Sequence, residues 1–351
     1  MRAASPIWPA KVSATVPTRI DLAGGTLDVY PLYLFEDGGL TVNAAINIYG
    51  HVTVEEREDS RITIRSVDTG AEENFASLEV MQTQMGGPLD LVKKALRFFC
   101  KERDPRRGLS ITLRSEAPRG SGLGASSALL MALSSALNEI GGLGIGKDRL
   151  IDLGANIEAQ VIDIPTGKQD YFPPLFGGVC GIWFDVDGHH LERLDQGNAV
   201  IDRLNERLIL TFTNINRFSG VTNWAMLKRY IEKEGDTVAH MRHIKEVALA
   251  MQHSLITEDL DEFARLLAVE WENRKVLAEG VTTLEVDAMI AAARAKGARA
   301  SKLCGAGGGG CMITYAEPDD VPAVKEALVE TGATLMPFQI VLEGISLQIS
   351  A

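Results

Sequence analysis

Residues 117–130 read APRGSGLGASSALL, and the reading of this stretch decides the fold. Gly120, Gly122 and Gly124 let the backbone turn sharply and approach a ligand closely. Ser126 and Ser127 then open an alanine- and leucine-rich run, SSALLMALSSALNEI (126–140), which ends at Gly141-Gly142. A run apolar on most of its faces predicts a helix buried inside a domain. Helix N-termini present unpaired N–H groups and a positive dipole end, which suits phosphate. The lysine of the commonest phosphate loop, G-x-x-x-x-G-K-[ST], is absent. Taken alone, the stretch fits a phosphate cradle and a serine-capped glycine turn equally well.

Two other stretches bear on that choice. TRIDLAGGTLDVY (18–30) sets Arg19, Asp21 and Asp28 around a Gly-Gly turn, where an aspartate ordinarily serves local hydrogen bonds. CGAGGGGC (304–311) places five glycines in six residues, a costly choice in chain entropy. Strand-like CMITYA follows at once, so a tight loop is expected rather than a flexible linker. Its backbone is expected to pack against the first glycine loop or against an acceptor substrate.

The chain has 351 residues, 46% of them apolar, which is enough for two domains. Its net charge is −12, and the densest basic stretch, KERDPRR (101–107), is broken by acids, which argues against nucleic acid as a partner. Four cysteines, none in a C-x-x-C pair, are too sparse for a disulfide scaffold. The opening MRAASPIWPAKV lacks the apolar run of a signal peptide, and no stretch approaches 18 apolar residues. A cytoplasmic protein without membrane partners, monomeric or homodimeric, is expected.

Alternating, β-branched patterns predict strands over 40–56, 61–67, 109–116, 179–186 and 207–215. Helical spacing predicts helices over 89–102, 126–140, 147–163, 221–234, 236–255, 258–279, 284–298 and 320–332, with strands again in 333–344 and 345–350. The order suggests an α+β arrangement of sheet and helices. The stretch at 187–200 carries the weakest pattern, so a first domain over 1–190 and a second over 191–351 are expected. His189-His190 are adjacent loop residues with no further ligand type nearby, a poor metal site, and Trp183 and Trp224 are expected to pack.

PRGSGLGASSALL (118–130) resembles the central P-x-x-x-G-L-G-S-S-A signature of the GHMP kinases, the galacto-, homoserine, mevalonate and phosphomevalonate kinases. VPTRIDLAGGTLDVY (16–30) is similar to their first motif, and KLCGAGGGGC (302–311) to their third, K-x-x-G-A-G-G-G-G. The three occur in the family's order. AGGTLDVYPLY, GKQDYFPPLFGG and EWENRKVLAEGVTTLEVDAMIAAARAKGARASKLCGAGGGGC look most like the heptose-phosphate kinase branch. Departures are Gly25 and Thr26, where galactokinases carry Glu and His, and Ala125, where the signature has its first serine.

The resemblance implies an N-terminal ribosomal-protein-S5-domain-2-like domain and a C-terminal ferredoxin-like α/β sandwich, with ATP and acceptor meeting in the cleft. It implies transfer of the ATP γ-phosphoryl group to a sugar or sugar-phosphate hydroxyl, most nearly the anomeric hydroxyl of a heptose 7-phosphate. Other readings are a fucose- or galactose-type kinase, a mevalonate-pathway kinase or decarboxylase, or a sugar- and nucleotide-binding sensor without turnover. By the same resemblance Asp170 is the catalytic carboxylate and Arg19 its partner. Pro118, Gly120, Ser121, Gly122, Leu123, Gly124, Ala125, Ser126 and Ser127 form the nucleotide loop. Ser126 and Glu158 would ligate Mg²⁺, an oxygen set that suits a hard ion. Asp28, Gly25, Thr26, Gly307 and Gly308 would face the acceptor, and Lys168 and Arg217 are candidates for a substrate phosphate.

Overall fold

A computed structural model describes residues 10–102, 106–195, 199–215 and 219–350. The first part of the chain supplies β1 (Lys11–Ala23), α1 (Leu32–Phe35), β2 (Gly39–Glu56), β3 (Ile62–Ser66), β4 (Glu72–Phe75), α2 (Leu78–Gln82), α3 (Asp90–Phe99) and β5 (Leu109–Ser115). Next come α4 (Ala125–Gly141), α5 (Lys147–Ile162), α6 (Phe172–Phe176), β6 (Val179–Asp185) and β7 (Gly188–Arg193). The second part supplies α7 (Val200–Arg207), β8 (Leu208–Phe212), α8 (Ser219–Ile231), α9 (Thr237–Ile256), α10 (Leu260–Arg274) and α11 (Leu284–Ala295). It ends with β9 (Ala298–Leu303), β10 (Cys311–Ala316), α12 (Val321–Glu330), β11 (Thr334–Leu335) and β12 (Ser346–Ser350).

The long strand β2 organises the first sheet, whose main order is β12-β1-β2-β5-β3-β4. Its first half, Gly39–Ala44, pairs with β6, and its second half, Gly50–Glu56, pairs with β5. β1 lies along its other edge, with a register shift between Pro17 and Thr18. This bulge changes the face to which the even-numbered residues point. Val12, Ala14 and Val16 enter the core with α3 and α4, whereas Ile20 and Leu22 enter the core shared with the second sheet. Arg19 and Asp21 are thereby turned toward the loop before α4.

The second sheet is antiparallel, in the order β11-β8-β10-β9. Numbered within that sheet, this is the 4-1-3-2 order of a ferredoxin-like layer. Leu208, Leu210, Cys311, Ile313 and Tyr315 share one core with Ile20, Leu22, Val42 and Ala44 of the first sheet and Phe263 and Leu267 of α10. Ile209, Met312 and Ala316 face the other way, into a core with Val286 and Met289 of α11 and Val324 and Leu328 of α12. The central strands β8 and β10 are thus buried on both sides, which explains their nearly continuous apolar runs.

Three expectations change. The weak stretch at 187–200 holds the strand β7, paired with β6 from Cys180↔Arg193 to Asp185↔Gly188. An edge strand buries only alternate residues, so His189, Leu191 and Arg193 sit among exposed neighbours and mask the pattern. In 333–344 only Thr334–Leu335 is strand. Pro337 offers no N–H, and the segment crosses back, where Val341 N–H donates to Ala45 O at 2.9 Å. Finally, β12, expected in the second domain, pairs with β1 along Lys11–Thr15 and covers that edge of the first sheet. All four cysteines are free and buried.

Phe263 is fully buried in the shared core, its ring 5.8 Å from that of Tyr315. Phe263→Ala should remove about 3–5 kcal/mol of stability. Because one core joins both sheets, denaturant unfolding followed by circular dichroism and by tryptophan fluorescence should move to a common, lower midpoint. Two separate transitions would show that the halves unfold independently.

Candidate active site

Strand alternation places Arg19 and Asp21 on one face of β1, with 3.8 Å between Nη1 and Oδ1. Both are buried. Arg19 Nε and Nη2 donate to the same oxygen of Asp170, Oδ1, at 2.8 and 2.6 Å, and Nη1 donates to Gly122 O at 2.5 Å. Burial works to lower the Arg19 pKa, but Asp170 and Asp21 outweigh it and the value is raised, so the guanidinium stays charged. Asp170 lies in the single helical turn Gln169–Tyr171, which starts just after Pro165 and Gly167, and its side chain is 27% exposed.

Asp21 makes the second set of contacts. Its Oδ2 accepts from Lys302 Nζ at 2.6 Å and its Oδ1 from the Gly305 N–H at 2.7 Å. Lys302 also donates to Asp21 O at 2.8 Å. The loop at 304–311 is stitched to the loop at 117–127 by backbone. Cys311 N–H donates to Ser121 O at 2.6 Å. At Gly122, with φ +73°, a Cβ would stand 2.5 Å from Cys304 O, so only glycine allows this approach. The third glycine stretch therefore packs on the first loop.

Glu158 of α5 reaches the start of α4, where the Ser127 hydroxyl donates to its Oε2 at 2.9 Å and the Tyr171 hydroxyl donates to the same oxygen. Burial raises the Glu158 pKa, against the hydrogen bonds from Tyr171 and Ser127. Asp28 is buried and accepts from the Gln169 N–H at 2.9 Å, which ties the first motif to the turn carrying Asp170. Burial pushes the Asp28 carboxyl up to about 6.

These groups border one cavity of about 690 Å³. Arg19, Thr26, Asp28, Asp170, Asn223 and Arg274 supply polar lining, and Leu89, Leu113, Leu133 and Ile162 supply apolar lining. Of the nucleotide-loop residues expected from sequence, all but Leu123 line it. Leu123 is fully buried and anchors the loop in the shared core instead. Ser126 is exposed on the cavity wall, where its side chain also interacts with Glu158, whereas the hydroxyl of Ser127 is buried against Glu158.

The acceptor-side expectations divide. Thr26 and Asp28 line the cavity; Gly25 lies behind them, its carbonyl accepting from Arg274 Nη1 at 3.0 Å. Gly307 and Gly308 turn away, with the Gly308 N–H on Val281 O at 2.7 Å, and Gly305 and Ala306 take the cavity wall. Lys168 points off the cavity to Asp152, 2.7 Å away, because α5 offers it a nearer carboxylate. Arg217 lies outside the described residues. Trp183 is half-buried against the ring of His190, but Trp224 is 46% exposed on α8 rather than packed. His189 packs edge-on against Phe172, and among the described residues no group of three metal-ligating side chains occurs.

Sequence reasoning missed Arg274. It is fully buried, donates to Gly305 O at 3.0 Å as well as to Gly25, and sits 3.7 Å from Glu270 one helical turn earlier. It thus ties α10 to the first and third motifs at once. The i,i+4 spacing of Glu270 and Arg274 was the available signal, but it ordinarily marks a solvated helix face.

The raised Asp28 pKa has a definite sign. The fold favours its protonated form, so the stability it contributes is complete below the ordinary value of 3.8 and is lost as pH rises through about 6. Asp28→Asn keeps an acceptor for Gln169 and removes the titration. Its stability relative to the parent chain should improve by about 3 kcal/mol between about pH 4 and pH 7, read from denaturant melts. A difference that does not vary with pH would contradict this.

Residues 90–178 match the GHMP kinases N terminal domain, and residues 251–334 match the GHMP kinases C terminal domain. The chain is 30% identical over 338 residues to a D-glycero-alpha-D-manno-heptose 7-phosphate kinase of Campylobacter jejuni, covering 95% of this chain and 98% of that one. It is 27% identical to the mevalonate kinase of Pyrococcus abyssi, over 97% of this chain and 98% of the relative. A crystal structure of a D-glycero-D-manno-heptose 1-phosphate kinase from Bacteroides thetaiotaomicron superposes with a TM-score of 0.78 at 29% identity, over 96% of this chain and 98% of the other. No helix among the described residues is long and apolar enough to cross a membrane. With both family domains matched and a relative at 30% identity along nearly its whole length, the chain belongs to the GHMP kinases, phosphotransferases that act on an alcohol group.

Proposed function

We propose that this enzyme transfers the γ-phosphoryl group of ATP to the anomeric hydroxyl of a D-glycero-D-manno-heptose 7-phosphate. The observation that carries the reading is the Arg19–Asp170 pair, set beside the glycine loop in the same cavity as Asp28 and Thr26. Arg19 occupies Oδ1 of Asp170 with two hydrogen bonds, which fixes the carboxylate in one orientation. Asp170 then orients the acceptor hydroxyl and takes its proton as the new O–P bond forms and the bond between the γ-phosphorus and the bridging oxygen of ADP breaks. The N–H groups at the start of α4 face the phosphates, and the apolar lining at Leu89 and Leu133 receives the base. Catalysis here is chiefly alignment of the two reactants and neutralisation of charge.

Glu158 and Ser126 are the residues that would hold Mg²⁺. A half-buried carboxylate with a raised pKa beside an exposed serine on the cavity wall fits an oxygen-preferring ion whose remaining ligands would be phosphate oxygens and water. When bound, the ion neutralises charge on the β- and γ-phosphates. The two heptose kinases named above differ in the acceptor phosphate, 7-phosphate in one and 1-phosphate in the other. A free anomeric hydroxyl exists only in the first acceptor.

An ADP-release assay with heptose 7-phosphate, heptose 1-phosphate, fucose, galactose and mevalonate tests the substrate. Turnover is expected with heptose 7-phosphate. Preference for any other acceptor reassigns it, carbon dioxide release would mark a decarboxylase, and nucleotide binding without turnover on any would mark a sensor. Asp170→Asn should lower kcat by about 10²–10⁴-fold with the KM for ATP nearly unchanged. Glu158→Gln should shift the magnesium titration of activity to higher concentration, and an unchanged titration would remove Glu158 from the ion.

A further inference from the structure

The nucleotide loop lacks the phosphate lysine, yet a triphosphate must enter a cavity lined by Asp28, Glu158 and Asp170. Several negative charges then meet carboxylates at close range, and backbone N–H groups alone carry only partial charges. Among the described residues, three arginines line the cavity, Arg19, Arg119 and Arg274. Two are already spent: Arg19 on Asp170 and Gly122, and Arg274 on Gly25 and Gly305. Lys168 is paired with Asp152 and does not line the cavity.

Arg119 differs from all of these. It is exposed, borders the cavity, and makes no hydrogen bond or ion pair with any described residue. Its backbone is fixed. Ser121 N–H donates to Pro118 O at 3.1 Å across a turn that Gly120 completes at φ +73°, and Ser121 is pinned by Cys311 N–H at 2.6 Å. A rigid turn thus carries a long, unengaged cationic side chain at the entrance to the phosphate loop.

Resting on the nucleotide reading above, we propose that Arg119 is the cation of this loop, and that its guanidinium closes over the polyphosphate of bound ATP. The planar fork suits two phosphate oxygens at once. Exposure keeps the contact modest and reversible, so ADP can leave.

Equilibrium binding of ATP, ADP and adenosine to the parent chain, Arg119→Ala and Arg119→Lys tests this. Arg119→Ala should bind ATP and ADP roughly tenfold more weakly while adenosine affinity and the acceptor KM stay unchanged. Its ATP affinity should also fall less steeply with salt, and Arg119→Lys should recover most of the loss. Unchanged ATP affinity in Arg119→Ala would overturn the proposal, as would an equal loss for adenosine, which would place the side chain on the base. Failure of the parent chain to bind ATP at all would overturn the nucleotide reading and this proposal together.

Discussion

The carboxylate of Asp21 joins the two sheets. It is fully buried in β1 of the first sheet, and its two oxygens are taken by Lys302 of β9 and by the N–H of Gly305 from the second. Burial alone would raise its pKa, but Lys302, Arg19 and Arg274 outweigh that and hold it well below the usual carboxylate range. A buried pair of this kind gains little over an apolar filling, but removing one partner strands the other charge at about 3–5 kcal/mol. What the arrangement supplies is position. The third motif is docked on the first, and the glycine loop is held between them.

Charge then runs outward from Asp21 by alternation. Lys302 is fully buried beside it, Glu270 and Arg274 follow on α10, and Arg19 and Asp170 follow toward the cavity. Glu270 is buried with a raised pKa, as burial disfavours its charge even with Lys302 and Arg274 nearby. Each functional side chain is therefore held by a neighbour whose own orientation is already fixed, which is the condition for a preorganised site. The first motif is fastened from both sides, by Arg274 on Gly25 and by Asp28 on Gln169.

The three glycine-rich or acidic stretches were legible because special backbone requirements leave residue signatures. The family resemblance gave Arg19 and Asp170 as the expected catalytic pair, and the structure places the two side chains in contact. Helices such as α4 and α10 were legible from periodicity because packing selects a face. Less was legible where one residue type serves two purposes. Lys168 reads as a phosphate ligand in GKQD, but Asp152 takes it. Arg274 reads as a solvated charge, but its guanidinium is buried against two backbone carbonyls. The first outcome depends on the preceding helix, the second on residues far off in the chain.

By itself the sequence determined the family, the order of the motifs, the glycine loop before a buried helix and most of the elements, since these rest on local conformation and short-range spacing. Only the tertiary structure decided which face of β1 meets the cavity, because one bulge at Pro17–Thr18 inverts the alternation and no local rule places it. Tertiary packing alone also brings β12 back to the first sheet, buries Lys302 on Asp21, and leaves Arg119 unengaged at the loop entrance. The physical reason is the same in each case. Burial and charge pairing are settled between segments that lie up to hundreds of residues apart, and a residue's own neighbours in sequence carry no record of the partner it will meet.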